Sequence, residues 1–217
     1  MFSTHYQKVY RQYNSLKNVP IYTIPGNHDY GVGRDTLNQA QGPQRRAYDD
    51  LWCTPAANYS LTYDIPGGGV ASFVMTDTTT LSPQTTKWTS SEGGISADEQ
   101  QALIVDQSLH LWKHYCTALE AGSNWIVTMG HYPIASYGDH GDNTYLEQNL
   151  LKFIQYFGSQ SYVSGHDHIL MHMQGKGLAN PHQYNDTTEY FIVGAGSMND
   201  QVKQTSEQSD LIWAGQR

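Results

Sequence analysis

The apolar residues of the chain fall into short runs whose spacing alternates between the period of a strand and the period of a helix. Residues 19–24 form a strand-like run that is followed by Gly26, where the chain must turn. Residues 59–65 and 70–77 alternate apolar and polar side chains on either side of Pro-Gly-Gly-Gly, which predicts a β-hairpin. Further strands are predicted over residues 124–129, 161–164, 169–177 and 188–196.

Helical patterns lie before and between these strands. A helix at the start of the chain is predicted from one apolar face, made of Phe2, Tyr6, Val9, Tyr13 and Leu16. Residues 96–99, Ser-Ala-Asp-Glu, form a capping box that begins a long helix ending near Gly122. Residues 144–158 predict another helix, and residues 45–52 predict a helical turn. Residues 78–96 are rich in Thr, Ser and Gly and predict a long polar loop, either functional or a solvent-exposed connection.

The alternation of strands and helices favours an α/β fold. With 217 residues, of which 38% are hydrophobic, the chain is long enough to bury a core. No internal repeat or linker divides it, so we expect a single domain over residues 1–217.

The charge of the chain excludes several classes of partner. The formal net charge is −8 and no basic cluster interrupts it, which argues against nucleic-acid and anionic-membrane partners. No apolar run approaches the length of a membrane span, and the first residues lack the apolar core of a signal peptide. An anionic substrate would therefore need a local positive centre, such as a metal ion.

The two cysteines and two glycosylation sequons bear on the compartment. Cys116 follows Leu109 and Trp112 on one helix face, which favours a buried thiol, but a disulfide with Cys53 stays possible. The triplets that begin at Asn58 and Asn185 fit a secreted protein, although such triplets often arise by chance.

Three predicted strands end in similar polar turns. The turns are Gly26-Asn27-His28-Asp29, Gly130-His131-Tyr132-Pro133 and Gly165-His166-Asp167-His168. Ligands of α/β sheets bind outside the carboxyl ends of the strands, and histidine and the Asn carbonyl oxygen both bind divalent cations. We expect Asn27, His131 and His166 to surround one ion, leaving His168 for a second ion.

The other histidines give a weaker signal. A single histidine at a strand end is usually a surface or structural residue, and only the threefold repetition indicates a metal site. His110 and His114 are four residues apart on a helix but lack the Glu of a zinc-protease motif, so we expect both to face solvent. No function is assigned to His5, His172 or His182.

The three turns, in this order and spacing, resemble those of the calcineurin-like metallophosphoesterases. Wider segments resemble the small, tartrate-resistant type of purple acid phosphatase, namely residues 19–30, 60–81, 130–141, 161–174 and 191–197. The resemblance implies the α/β (α+β sandwich) fold of that superfamily, with the metal site at the carboxyl ends of the strands.

The resemblance also implies a chemistry. Such enzymes use a dinuclear centre, Fe(III) with Fe(II) or Zn(II), whose metal-bound hydroxide attacks a phosphate monoester at acid pH. Asn27, His131 and His166 would hold the divalent ion, and His168 would hold the ferric ion. His28 and His140 match the two histidines that contact substrate, and an imidazolium can bind a phosphate oxygen or protonate a leaving group. Asp29 would fix the geometry of its loop.

Two motifs of the family are absent from this sequence. An Asp-x-Gly and a Gly-Asp-x-x-Tyr precede Gly-Asn-His in the family, and they supply the ferric-site Asp and Tyr and the bridging Asp. The family also continues beyond the C-terminal end matched here. We therefore expect a partial domain, nearly inactive alone, with exposed apolar surface where strands are missing.

Several alternatives remain open from the sequence. The chain belongs either to an incomplete active enzyme or to a short, non-catalytic metal-binding relative, and a phosphodiesterase of the same superfamily is a further possibility. For an active enzyme we expect a small phosphomonoester or phosphoprotein substrate, a monomer, and a secreted or acidic lumenal location.

Overall fold

A mixed sheet of seven strands forms the centre of the described protein. The computed structural model describes residues 11–27, 51–82, 97–175, 187–196, 200–203 and 211–215. Two short strands, β1 (Ile21–Tyr22) and β2 (Trp52–Cys53), form a separate parallel pair. The large sheet contains β3 (Tyr59–Asp64), β4 (Val70–Met75), β5 (Trp125–Met129), β6 (Ser161–Ser164), β7 (Leu170–Gln174), β8 (Glu189–Val193) and β9 (Leu211–Gly215). Their order across the sheet is β3-β4-β5-β6-β8-β7-β9.

The four central strands of this sheet run parallel to one another. β4 pairs with β5, β5 with β6, and β6 with β8, all in parallel, whereas β3, β7 and β9 are antiparallel to their neighbours. Parallel pairing places the carboxyl ends of the central strands at one edge of the sheet. The segments that follow β4, β5, β6 and β8 therefore all leave from the same edge.

The helices cover one face of the sheet. They are α1 (Thr78–Leu81), α2 (Ala97–Glu120), α3 (Thr144–Leu146), which continues as a π-helical turn over Glu147–Leu151, and α4 (Lys152–Phe157). Tyr115 of α2 is fully buried and stacks on Phe157 of α4 with ring centroids 4.8 Å apart. Its hydroxyl lies 2.6 Å from the Thr128 hydroxyl of β5, so the one side chain ties both helices to the sheet.

The structure confirms the predicted hairpin and the α/β class. β3 and β4 pair around the Pro-Gly-Gly-Gly segment, and β5, β6, β7 and β8 lie within the predicted runs. The first predicted strand is shorter than expected, since only Ile21 and Tyr22 pair. β9 was not predicted, because Leu211–Gly215 lacks a clear strand alternation.

The prediction of the buried face of α2 is wrong. Leu109 and Trp112 are 66% and 48% exposed, and Cys116 beside them is only partly buried. The face against the sheet instead carries Tyr115 with Leu111, because Tyr115 finds its hydrogen-bond partner there. Cys116 and the other cysteine are both free thiols, so the alternative of a disulfide is not formed.

Two further predictions fail locally. Residues 12–18 form turns in place of the last part of the predicted first helix, and Tyr13 and Leu16 are 54% and 40% exposed, whereas residues 1–10 of that prediction lie outside the described residues. The polar loop predicted from residue 78 begins instead with α1, whose four residues are all buried. The Asp77 carboxylate caps this helix by accepting from the Thr79 N–H. The predicted turn at 45–50, the capping serine at 96 and the loop over 83–96 lie outside the described residues.

The Asn58 side chain is buried in a polar network between β4 and α2. Its amide nitrogen donates to Gln107, and its oxygen accepts from the Thr76 hydroxyl at 3.0 Å and from the Asp77 N–H at 3.1 Å. Asn58 is only 8% exposed, so this fold leaves no room for a glycan on it. The sequon at Asn58 therefore gives no support for glycosylation, and the sequon at Asn185 lies outside the described residues.

The face of the sheet opposite the helices carries several exposed apolar side chains in the described protein. Trp125, Val193 and Trp213 are 55%, 61% and 53% exposed on this face. Neighbouring strands align the side chains of this face in rows. In one such row His172 of β7 lies between Phe191 of β8 and Trp213 of β9. Among the described helices, none combines the length and apolar character needed to cross a membrane.

We expect the Asn58→Ala substitution to lower the free energy of unfolding by about 1–3 kcal/mol, because it leaves the Asp77 N–H buried without its acceptor. Denaturant unfolding followed by circular dichroism measures the change. Ser60→Ala is the control, since it also destroys the sequon but removes only the contact of a partly buried hydroxyl with His114. Equal stability of the Asn58→Ala and wild-type chains would contradict the network.

Candidate metal centre

Asn27, His131 and His166 converge at the carboxyl edge of the sheet. Asn27 follows β1, His131 follows β5 and His166 follows β6. The Asn27 Oδ1 and His131 Nε2 atoms are 2.8 Å apart, and the rings of His131 and His166 have centroids 5.2 Å apart. A Cβ on Gly26 would lie 2.8 Å from the His131 ring, so this approach requires glycine.

The turn that carries His131 is held by a buried hydroxyl of α1. The Thr78 Oγ1 accepts from the backbone N–H of His131 at 3.0 Å and from that of Tyr132 at 2.9 Å. Gly130 allows this contact, because a Cβ there would lie 2.5 Å from the Thr78 methyl carbon and 2.3 Å from the Tyr162 hydroxyl. Thr78 thus fixes the backbone from which the His131 imidazole projects.

The His166 backbone adopts φ +65°, the left-handed conformation that is uncommon for a residue other than glycine. Burial and, to a smaller extent, the neighbouring imidazoles of His140 and His131 together lower the pKa of His166 to about 4. His166 is therefore neutral above this pH and keeps a nitrogen lone pair that a cation can accept.

His140 reaches the same place from the loop that follows β5. Its Nδ1 contacts the carboxylate of Asp167, and its ring centroid lies 4.2 Å from that of His166. Asp167 is fully buried, and its second oxygen accepts from the Ser136 hydroxyl. The carboxylate therefore fixes both the loop and the orientation of the His140 ring.

His168 lies on the other side of Asp167 and faces Asp200. The His168 N–H donates to the Asp200 Oδ2 at 3.0 Å, and this hydrogen bond lowers the pKa of the Asp200 carboxyl. The His168 Nδ1 is buried, makes no hydrogen bond within the described part of the chain, and lies 3.3 Å from the same Oδ2.

A cavity of about 420 Å³ opens over the converging side chains. Its lining residues are Asn27, Tyr132, Pro133, His140, Gly141, Asp142, Asn143 and His166. The lining contains two imidazoles, two amides and one carboxylate, but no lysine or arginine among the described residues. A phosphate group in this cavity would consequently depend on a bound cation and on the imidazoles for its counter-charge.

The structure thus brings together four of the six residues predicted from the sequence: Asn27, His131, His140 and His166. His168 lies next to this group, and His28 and Asp29 lie outside the described residues.

The remaining histidines differ in part from expectation. His110 is exposed, as predicted, and lies 3.8 Å from the Asp106 carboxylate. The prediction for His114 is wrong, because α2 packs on β3 and brings its Nδ1 within 3.1 Å of the Ser60 hydroxyl. His172, to which nothing was assigned, pairs with Glu189 at 2.7 Å.

Sequence reasoning missed Thr78, Asp200 and the role of Asp167. Asp167 could have been found, because it stands between the two histidines of its motif. Thr78 and Asp200 carry no such signal, since each reaches the site from a different connection of the sheet.

Comparison with known proteins gives this site a family. The family model for calcineurin-like phosphoesterases matches residues 3–170, so the chain belongs to this family. Over 191 residues it is 28% identical to the tartrate-resistant acid phosphatase type 5 of Oryctolagus cuniculus, covering 88% of this chain and 53% of that protein. Purple acid phosphatase 3 of Arabidopsis thaliana is 31% identical over 156 residues, covering 71% of this chain and 39% of that protein. The chain spans about half the length of the curated relatives it matches most strongly.

Solved structures agree on the fold. The purple acid phosphatase isolated from yellow lupin seeds superposes with a TM-score of 0.52 at 15% identity, over 88% of this chain and 31% of that chain. GAP50, the anchor in the inner membrane complex of Plasmodium, superposes with a TM-score of 0.64 at 20% identity, over 96% of this chain and 60% of that chain. At these identities the likeness shows the fold alone.

The residues at the edge of the sheet fit the metal ion that this family implies. The test is the buried His168 Nδ1, which makes no hydrogen bond in the described protein and faces a carboxylate oxygen. The convergence of an amide oxygen with two further imidazoles gives the oxygen and nitrogen donors that divalent transition metals bind.

We expect Thr78→Val to weaken binding of a divalent cation by about 10-fold or more, because it frees the backbone that orients His131. Calorimetric titration of the chain with Zn²⁺ measures the affinity. Thr78→Ser should restore it by keeping the hydroxyl. Thr79→Val is the matched control, since Thr79 is equally buried and its hydroxyl has no hydrogen-bond partner among the described residues. The same loss in both valine variants would contradict a specific role for Thr78.

Proposed function

We propose that the protein is a metal-dependent acid phosphatase that hydrolyses phosphate monoesters. The observation that carries this proposal is the convergence of Asn27, His131, His166 and His140 at the carboxyl edge of the sheet, where Asn27, His140 and His166 line one cavity. Family membership and the acid phosphatase relatives support a phosphoesterase reaction.

In this proposal Asn27, His131 and His166 hold a divalent ion, and His168 belongs to a second position. The pair is Fe(III) with Fe(II) or Zn(II), as the resemblance to purple acid phosphatases implies. When bound, such ions polarise the phosphoryl group and activate water for attack. His166 suits the role of a metal ligand because it is neutral above its lowered pKa, so that no proton occupies the nitrogen that would bind the cation.

The protein's own residues bind and orient the ester. With the His140 Nδ1 against the Asp167 carboxylate, the Nε2 is the ring nitrogen left for substrate. A protonated His140 can donate to a phosphoryl oxygen or to the departing alkoxide oxygen. In this proposal His28 also contacts the substrate and can act as a proton donor.

The cavity also suggests how the substrate is held. Its described lining has no lysine or arginine, so the ions and the imidazoles supply the counter-charge for the phosphate group of the substrate. In this proposal the leaving group extends towards the mouth of the cavity. We propose a small phosphomonoester or a phosphoprotein as substrate, acted on by a monomer in a secreted or acidic lumenal location.

The test is metal-dependent hydrolysis of p-nitrophenyl phosphate at mildly acid pH by the protein in its full natural length, because the chain spans about half the length of the curated relatives it matches. We expect His140→Ala to lower kcat by about 10²–10⁴-fold, because it removes a group that donates to the reacting oxygens. His110→Ala, an exposed histidine paired with Asp106, should keep the wild-type rate.

Two results would overturn the proposal. One is the absence of any metal-dependent turnover by the folded full-length protein when it binds the ions, which would favour a non-catalytic metal-binding protein. The other is faster hydrolysis of bis-p-nitrophenyl phosphate than of the monoester, which would identify a phosphodiesterase.

A further inference from the structure

We propose that Asp200 is a metal-ligating residue, which forms with His168 a cation position beside the one that Asn27, His131 and His166 surround. The inference rests on the proposed function only in that both require bound cations. It assigns a carboxylate to the part of the site for which the sequence offered His168 alone.

The first argument is the separation of the two donor atoms. The His168 Nδ1 and the Asp200 Oδ2 are 3.3 Å apart, and the nitrogen is buried without a hydrogen bond in the described protein. Two ligand atoms that each lie about 2.1 Å from one tetrahedral ion are about 3.4 Å apart. The observed spacing therefore fits two ligands of a single cation.

The second argument is that the backbone holds Asp200 in place. The His168 N–H donates to the Asp200 carboxylate at 3.0 Å, and the Asp200 N–H donates to the His168 carbonyl oxygen at 3.1 Å. These reciprocal bonds fix the segment after β8 against the turn after β6. The Asp200 side chain is only 17% exposed, so its charge is held near the site and partly shielded from water.

The third argument is the surrounding charge. Donor atoms of His140, Asp167 and Asp200 all lie within 4.8 Å of one another, which places a second carboxylate and an imidazole close to Asp200. Both oxygens of Asp167 are engaged, by Ser136 and by His140, whereas among the described residues Asp200 accepts the His168 N–H through Oδ2 and keeps its other oxygen for coordination. The nearby Lys203 is engaged with the carbonyl oxygen of Asp139 at 3.0 Å.

Calorimetric titration of the whole chain with Zn²⁺ or Co²⁺ alone tests the assignment. We expect the wild-type chain to bind two equivalents, and Asp200→Asn to weaken one of them at least 10-fold while the other persists. Asparagine keeps an oxygen that can accept from the His168 N–H, so a purely structural role predicts no change. Asp139→Asn, which removes a neighbouring exposed carboxylate, is the control and should keep both equivalents.

A second variant and a variant-free measurement guard against misfolding. His168→Ala should lose the same equivalent as Asp200→Asn, whereas His131→Ala should lose the other one. In the wild-type chain, Co²⁺ should shift the nuclear magnetic resonance signals of His168 and Asp200 as the second equivalent binds.

The proposal is overturned if Asp200→Asn binds both equivalents as tightly as wild type, or if Co²⁺ leaves the signals of His168 and Asp200 unshifted. Its failure is distinguishable from that of the proposed function. A chain that binds two ions through Asp200 but hydrolyses no phosphate ester refutes the phosphatase and leaves this site standing.

Discussion

Two backbone hydrogen bonds extend the pairing of β5 and β6 beyond the ends of the strands, and the site depends on them. The Gly130 N–H donates to the Val163 carbonyl at 3.0 Å, and the Gly165 N–H donates to the His131 carbonyl at 2.9 Å. The two turns are thereby locked in the register of the sheet. The residue after each glycine is a histidine, so His131 and His166 must lie side by side, and any ligand that uses both is positioned by the rigid sheet.

The regular part of this architecture follows from local patterns. The Pro-Gly-Gly-Gly hairpin, the central strands and the long helix could be predicted because period and turn residues act within a few positions of the chain. The convergence of Asn27, His131 and His166 could be predicted for a related reason, since parallel strands place their carboxyl ends at a common edge. Local patterns and one topological rule thus reach most of the candidate site.

What could not be predicted depends on packing between distant segments. Two apolar rows run along α2, and the row that faces the sheet is the one with Tyr115, whose hydroxyl meets Thr128 of β5, and not the one with Trp112. Thr78 sits in a Thr-rich stretch whose composition indicates a loop, yet its hydroxyl supports His131 from 53 residues away. Asp200 meets His168 across 32 residues of the chain. No period in the sequence encodes such contacts.

The buried Asp167 connects the stability of this edge to its chemistry. A carboxylate withdrawn from water costs several kcal/mol unless hydrogen bonds and opposite charge compensate it. Here the compensation comes from Ser136 and His140, both on the loop after β5, while Asp167 itself belongs to the turn after β6. Releasing His140 would take one of these contacts away from the buried carboxylate. The contact between Asp167 and His140 therefore stabilises the loop and also keeps the His140 imidazole beside His166. The position of His140 is therefore set by the hydrogen bonds that satisfy the buried Asp167 carboxylate, and it is set before any ligand binds.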